Sequence, residues 1–350
     1  AGEKFRNPAL ARTFRRIAET KGRAFYEGDL AEAIVAHSKA HGGAMRLDDL
    51  ASHRPDWCGT ISKGFDDLAL HEIPPNGQGI AALMALGILA HTPIRDLGPD
   101  DPRAFHLQIE AMKLALADAE AYVADPAHMG AVSAADMLDD GYLATRARLI
   151  DPARATNFGA GAPKQGGTVY LSTADASGMM VSYIQSNYAG FGSGVAVPGT
   201  GIHMQNRGWG FSLDPQSPNL VGPGKRPFHT IIPGFLMKGG APLMSFGVMG
   251  GPMQAQGHLQ MVLRTQLWDQ DVQMAADAPR WQVTEGLGVA CEAAMGRDTL
   301  EALSAMGHQI DADAPEAAFA FGGAQLIHRL PDGGYAGGSD PRKDGAAVGF

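Results

Sequence analysis

The run Gln165-Gly166-Gly167-Thr168-Val169-Tyr170-Leu171-Ser172-Thr173 joins a small-residue loop to a strand-like segment in mid-chain. From Asp151 to Gly167 six residues are Gly or Pro and the pattern is polar, which predicts an exposed linker. Thr168 to Thr173 is rich in β-branched and aromatic residues and predicts a strand. Met179 to Gln185 predicts a second strand, with Asp175-Ala176-Ser177-Gly178 as the hairpin turn between them. Taken alone, a threonine opening a strand is ordinary β-propensity. Placed after Gly-Gly, it is also the layout for backbone scission between Gly167 and Thr168, which frees an N-terminal threonine. Such a residue needs no histidine, because its own α-amine serves as base for its hydroxyl. Alpha-amino groups titrate around ~7.7–8.0, so the unprotonated amine is available near neutral pH.

Upstream the chain reads helical. Pro8 to Lys21 places Leu10, Phe14 and Ile17 three and four apart, and Leu30 to His41 continues with Leu30, Ile34 and Val35. Asp101 to Asp125 predicts the longest helix, with Asp101 as N-cap and Pro102 in the first turn. Leu68 to Ile73 predicts a short strand ending at the turn cluster Pro74-Pro75-Asn76-Gly77. Downstream, Leu243 to Val248 predicts a strand, Ala255 to Trp268 and Arg297 to Met306 predict helices, and Gln325 to Arg329 with Gly334 to Gly338 predict a closing meander. Helices first and antiparallel strands later imply an α+β fold.

Composition narrows the function. The 350 residues are 45% hydrophobic and 19% charged, an ordinary globular balance for one large or two ordinary domains. A net charge of −9 with scattered cations lacks the footprint of a nucleic-acid binder. Cys58 and Cys291 exclude a disulfide framework and a four-cysteine zinc site. The apolar run from Gly79 to Ala90 is shorter than the ~20 residues a bilayer requires. No signal peptide is visible, so the compartment stays open between cytoplasm and periplasm, the cytoplasm slightly favoured.

No nucleophile elbow, zinc-protease helix, phosphate loop or dinucleotide fingerprint is present. His106 and Glu110 lie four apart on a helix with no third ligand at motif spacing, so no metal or cofactor is expected. Gly-rich turns follow the candidate strands, at Phe191-Gly192-Ser193-Gly194 and Met249-Gly250-Gly251-Pro252. Beside a threonine nucleophile, the Gly250 and Gly251 N–H groups suit a developing oxyanion, with no side chain in the way.

Many short segments in order resemble the γ-glutamyltranspeptidase family of N-terminal nucleophile hydrolases. Asn7-Pro8-Ala9-Leu10-Ala11, Phe25-Tyr26-Glu27-Gly28 and Glu110-Ala111-Met112-Lys113-Leu114-Ala115 resemble its large-subunit segments. Pro74-Pro75-Asn76-Gly77 resembles its proline-rich turn. Phe191-Gly192-Ser193-Gly194, Lys225-Arg226-Pro227, Gly250-Gly251 and Ser339-Asp340-Pro341-Arg342 resemble small-subunit motifs. The resemblance implies a four-layer αββα sandwich. It implies self-cleavage that leaves residues 1–167 as part of a large subunit and 168–350 as a small one, with a further homodimer left open. It implies Thr168 as nucleophile, Ser186 as the hydroxyl beside it and Gly250 with Gly251 as oxyanion donors. It also implies a preceding region with central strands and a carboxylate-binding Arg.

The departures bear on substrate. Where transpeptidases of the family hold an α-ammonium with Gln and Asp, this chain has Arg207 and Gly210. Their serine pair for the α-carboxylate becomes His229-Thr230, and an Asn becomes Tyr188. An unpaired buried ammonium costs several kcal/mol, so glutathione is expected to be a poor substrate. The pattern resembles the divergent acylase and oxamate-hydrolysing branch. The expectation is a small acidic amide lacking an α-amino group, held by Arg207, His229 and Thr230. Alternatives are a true glutathione hydrolase and an inactive relative serving as a binding subunit; Arg207 reads otherwise as a structural salt bridge and His229 as a core histidine.

Overall fold

The computed structural model describes residues 2–159, 167–312 and 320–350. Its contacts divide the chain into two compact units, Ala1–Cys58 with Asn187–Asn206, and Gly59–Ser186 with Arg207–Phe350. The parting expected at Thr168 concerns a peptide bond, whereas these boundaries concern packing.

The smaller unit opens with α1 (Pro8–Glu19), where Asn7 Oδ1 accepts the Leu10 N–H at 3.0 Å. It continues through α2 (Arg23–Glu27), α3 (Asp29–Ala40) and α4 (Leu47–Ala51). A short strand pair, Ala196–Val197 and Ile202–His203 (β5 and β6 in chain order), completes it. Ala24, Leu30, Ile34, Val197 and Ile202 form its core.

The larger unit begins with β1 (Ile61–Phe65) and β2 (Leu68–Glu72), then α5 (Gly79–Leu89), α6 (Pro102–Tyr122), α7 (Ala134–Met137) and α8 (Asp140–Ala147). Next come β3 (Gly167–Ala174) and β4 (Met180–Tyr188), whose last two residues fall in the smaller unit. β7 (Gly234–Lys238), β8 (Ala241–Met249), α9 (Met253–Val262) and α10 (Val272–Asp277) follow. β9 (Trp281–Val283), β10 (Gly288–Cys291), α11 (Arg297–Ala305), β11 (Gln309–Asp311), β12 (Gly323–Arg329) and β13 (Tyr335–Ser339) complete the chain.

The order of helices before strands does not survive. β1 and β2, from the first half, belong to one antiparallel six-stranded sheet in the order β1-β2-β7-β8-β12-β13. β1 escaped notice because Ser62, Lys63 and Gly64 give an edge strand little apolar signal. The apolar run is α5, buried at every position, and a helix apolar all round needs cover on all sides. It packs on β1, β2, α6, α8 and α9. The helix expected to Asp125 stops at Tyr122: Val123 is extended and Pro126 bars the residue before it from helical geometry. The helix expected to Trp268 is α9 followed by a π-turn at Leu263–Leu267.

The predicted linker is only partly a linker. Ala155 is buried and donates its N–H to Met306 O at 2.7 Å, and the Thr156 N–H donates to Glu110 Oε2 at 3.0 Å. Residues 160–166 lie outside the described part of the chain.

The β3–β4 hairpin stacks on the six-stranded sheet through β8 and β12. The helices α5 and α9, the large sheet and this hairpin make three successive layers, α-β-β, of the expected αββα sandwich. Strand alternation divides the hairpin: Tyr170 and Met180 turn inward, while Val169, Leu171, Val181 and Tyr183 stay exposed. Among the described residues, no helix is long and apolar enough to cross a membrane.

Candidate active site

The hairpin sets the nucleophile candidate. The Asp175 N–H donates to Met179 O at 3.1 Å, closing the predicted turn. Seven residues back from Asp175 is Thr168 and seven forward from Met179 is Ser186, so an unbroken antiparallel register sets them opposite each other. Both side chains share the inward face, each half-buried.

Below that face lies a hydroxyl network. Tyr170 Oη bonds Ser172 Oγ and Ser182 Oγ, both at 2.7 Å, and Ser172 Oγ meets Ser245 Oγ of β8 at 3.0 Å. The Tyr170 ring lies over Gly247, which has no room for a Cβ. The stacking thus steps from Ser172–Ser245 to Tyr170–Gly247. Two residues further along each strand stand Thr168 on β3 and Met249 on β8, the latter directly before Gly250-Gly251. Burial pushes the Tyr170 hydroxyl up to about 12, so it stays a neutral hydrogen-bonding group.

Gly250 and Gly251 sit at φ +137° and +62°, the region that favours glycine. A Cβ on Gly250 would also lie 2.9 Å from Gly322 Cα. Gly322 is fixed in turn, because buried Arg280 bonds Phe321 O at 2.8 Å and Asp340 Oδ2 at 2.5 Å, while Asp340 Oδ2 accepts the Ala324 N–H at 2.7 Å. The Ser339–Arg342 motif therefore acts as backing for the glycine turn.

Three of the predicted substrate residues come together. Arg207 Nη1 is 3.5 Å from Thr230 Oγ1, and Arg207 is close enough to His229 to disfavour its protonation. Burial first, then Arg207, lowers the His229 imidazole to about 4. His229 is therefore neutral near pH 7 and offers hydrogen bonds rather than a positive charge. Gly210, where the ammonium's partner was expected to be lost, is closed sterically as well: a Cβ there would drive into the Phe228 carbonyl oxygen. Asn219 locks this approach, its Nδ2 donating to Gly210 O at 2.6 Å and its Oδ1 accepting the Phe228 N–H at 3.0 Å. Tyr188 falls in the smaller unit, buried, at φ +76°, a conformation rare for a tyrosine.

Sequence reasoning missed Gln78. Buried at 2% exposure, its Nε2 donates to Thr230 O at 2.8 Å and to Gly251 O at 2.9 Å. The turn before it pairs with the substrate segment: Asn76 Nδ2 donates to Pro227 O at 2.6 Å, and the His229 N–H to Asn76 O at 3.1 Å. A cleft of about 990 Å3 opens alongside, with Gln78, Gly210, Phe211, Asn219 and Phe228 in its wall.

The family model for gamma-glutamyltranspeptidase matches residues 1–350. The chain belongs to the γ-glutamyltranspeptidase family. It is 35% identical to the glutathione hydrolase-like YwrD proenzyme of Bacillus subtilis, covering all of this chain and 67% of that protein. It is 36% identical to the oxamate amidohydrolase proenzyme of Klebsiella pneumoniae, over all of this chain and 66% of that one. Among solved structures, cephalosporin acylase from Bacillus halodurans superposes with a TM-score of 0.93 at 47% identity, covering 100% of this chain and 64% of that one. The chain thus spans about two thirds of the length of these relatives, and its fold is part of the γ-glutamyltranspeptidase fold.

One family-like segment has a different role from any site residue. Glu110 and Lys113 of α6 form a buried ion pair at 2.9 Å. His106 Nδ1 lies 2.8 Å from His308 Nε2, giving the third ligand candidate that sequence spacing did not supply. As a metal centre the set fits poorly, because each group already has a protein partner. Lys113 Nζ reaches His308 Nδ1 at 3.4 Å, His106 Nε2 reaches Asp151 O at 2.8 Å, and Glu110 Oε2 takes the Thr156 N–H. With Lys113 donating, the hydrogen bonds run in one direction from Lys113 through His308 and His106 to Asp151 O. The cluster clamps residues 151–156, just ahead of the candidate junction.

Proposed function

We propose that this chain carries the nucleophile and oxyanion turn of an amide hydrolase acting on a small acidic amide without an α-amino group. The peptide bond between Gly167 and Thr168 is cut, leaving residues 1–167 and 168–350 associated. The new Thr168 α-amine takes the proton from Oγ as Oγ attacks the amide carbonyl. The Gly250 and Gly251 N–H groups receive the oxyanion, and Ser186 stands beside the nucleophile. The proton passes to the leaving amine, and water then resolves the ester to acid and free Thr168. Arg207, with Thr230 and neutral His229, receives the substrate's anionic end.

The observation that carries this reading is the pairing of Arg207 with a closed Gly210. Arg207 reaches Thr230, and Phe228 O occupies the space that a carboxylate side chain at position 210 would require. The names of the relatives, an oxamate amidohydrolase and acylases among them, agree with it.

The test compares ammonia release from oxamate with anilide release from a γ-glutamyl anilide, alongside mass mapping of a trapped acyl group. Oxamate-type turnover with the acyl group on Thr168, and background activity in Thr168→Ala, supports the reading. Efficient γ-glutamyl turnover overturns the substrate assignment, and an acyl group on another side chain overturns the mechanism.

A further inference from the structure

A pair of glycines with no side chains cannot hold itself in a catalytic geometry. Gly250 O accepts the Met253 N–H at 3.3 Å and Gly251 O accepts the Gln254 N–H at 3.1 Å, both from the helix that follows. The other fixed point comes from far away in sequence. Gln78 caps the start of α5, and its backbone N–H donates to His229 O at 3.0 Å. Its side-chain amide spends one N–H on Thr230 O and the other on Gly251 O. One buried residue therefore grips three carbonyls, two on the substrate segment and one on the oxyanion turn.

We propose that Gln78 is a positioning residue for amide hydrolysis, setting the separation between the Gly250-Gly251 donors and the Arg207–Thr230 binding segment. Its side-chain hydrogen bonds go to the backbone of these two segments, so it acts through them. The proposal rests on the reading of Gly250 and Gly251 as oxyanion donors. A neutral primary amide suits this position because it presents two donors to two carbonyl oxygens at once. Glutamate has the same shape, but protonated it has one O–H donor, and ionised it has none and repels both carbonyls.

The test uses Gln78→Glu and Gln78→Met in the full-length enzyme, with kcat and KM for ammonia release from oxamate measured separately across pH. Gln78→Met is expected to lower kcat by about 10–10²-fold, the scale of a small misplacement of reacting groups, with self-cleavage retained. Gln78→Glu is expected to lose kcat progressively as pH rises and its carboxyl ionises, a limb absent from wild type and from Gln78→Met. A purely structural role would lower the amount of folded enzyme without creating that limb. Should either variant fold poorly, amide hydrogen exchange at residues 250–254 gives the second readout, with faster exchange than wild type expected there. Unchanged kcat and an unchanged pH profile in folded variants, with the acyl group trapped on Thr168, overturn the Gln78 assignment alone. An acyl group trapped elsewhere in wild type overturns both, since the turn then faces no reacting carbonyl.

Discussion

Two of the buried polar assemblies in the larger unit, one beside the glycine turn and one ahead of the candidate junction, are built on opposite principles. On the Gln78 side of the glycine turn, the brace uses groups that need carry no charge, whereas the buried Arg280–Asp340 ion pair backs the turn from the Gly322 side. Gln78 is an amide, and Glu72 bonds His258 at 2.6 Å while His258 Nε2 accepts the Val248 N–H at 3.3 Å. Burial pushes the Glu72 carboxyl above the usual carboxylate range, partly offset by His258. The clamp on residues 151–156 instead encloses an ammonium and a carboxylate, Lys113 and Glu110, both almost wholly buried. A neutral brace can be altered without stranding a charge, whereas a charged clamp cannot lose one member safely.

That contrast yields an ordered set of tests. Lys113→Met leaves the Glu110 carboxylate buried and unpaired, and a loss of about 3–5 kcal/mol in urea unfolding is expected. Adding Glu110→Gln to it should return much of that loss, and a double variant no more stable than Lys113→Met would show that the pair is not what the site depends on.

Acid is the next probe. Burial, then Lys113, then His106 lower His308 from 6.5 to about 3. Protons therefore bind the unfolded chain more tightly over that window. The stabilisation is complete above pH 6.5 and drains away as pH falls toward 3, by at most ~1.4 kcal/mol per pH unit. His229, lowered to about 4, adds to the same slope from pH 6.5 downward. His308→Gln should flatten it, and matching slopes in wild type and variant would remove His308 from the account.

The smallest change belongs to the brace. Gln in place of Glu72 can still accept the His258 hydrogen, so Glu72→Gln should stay within about 1 kcal/mol of wild type by thermal unfolding. A loss as large as that of Lys113→Met would mean that the brace is ionic too, and the contrast would fail.

Much of this architecture was legible in the sequence, for identifiable reasons. The hairpin of β3 and β4 announced itself through Asp175-Ala176-Ser177-Gly178 between two β-rich runs, α1 and α3 through apolar spacing, and α6 through its Asp101-Pro102 start. The strand that Thr168 opens and the glycine turn after β8 followed from the order of loop, threonine, strand and Gly-Gly, while their catalytic roles remain proposals. What stayed hidden depends on distant pairing. Gln78 carries no local signal beyond its place after Pro74-Pro75-Asn76-Gly77; its meaning lies in carbonyls more than 150 positions away. His308 meets His106 across 202 residues, which no spacing rule anticipates. The closure at Gly210 was read as a missing charge, because a sequence shows a lost side chain but not the carbonyl that has taken its place.

The pairing of β2 with β7, from Leu68 opposite Lys238 to His71 opposite Phe235, has a consequence for any scission at Thr168. It makes the largest sheet a fabric woven from both products, with a seam of main-chain hydrogen bonds between its second and third strands. Neither fragment could leave without tearing that seam and baring raw strand edges, which are templates for aggregation. A divided form of this protein should thus be made by folding first and cutting afterwards, since halves produced separately would meet as sticky, half-finished sheets.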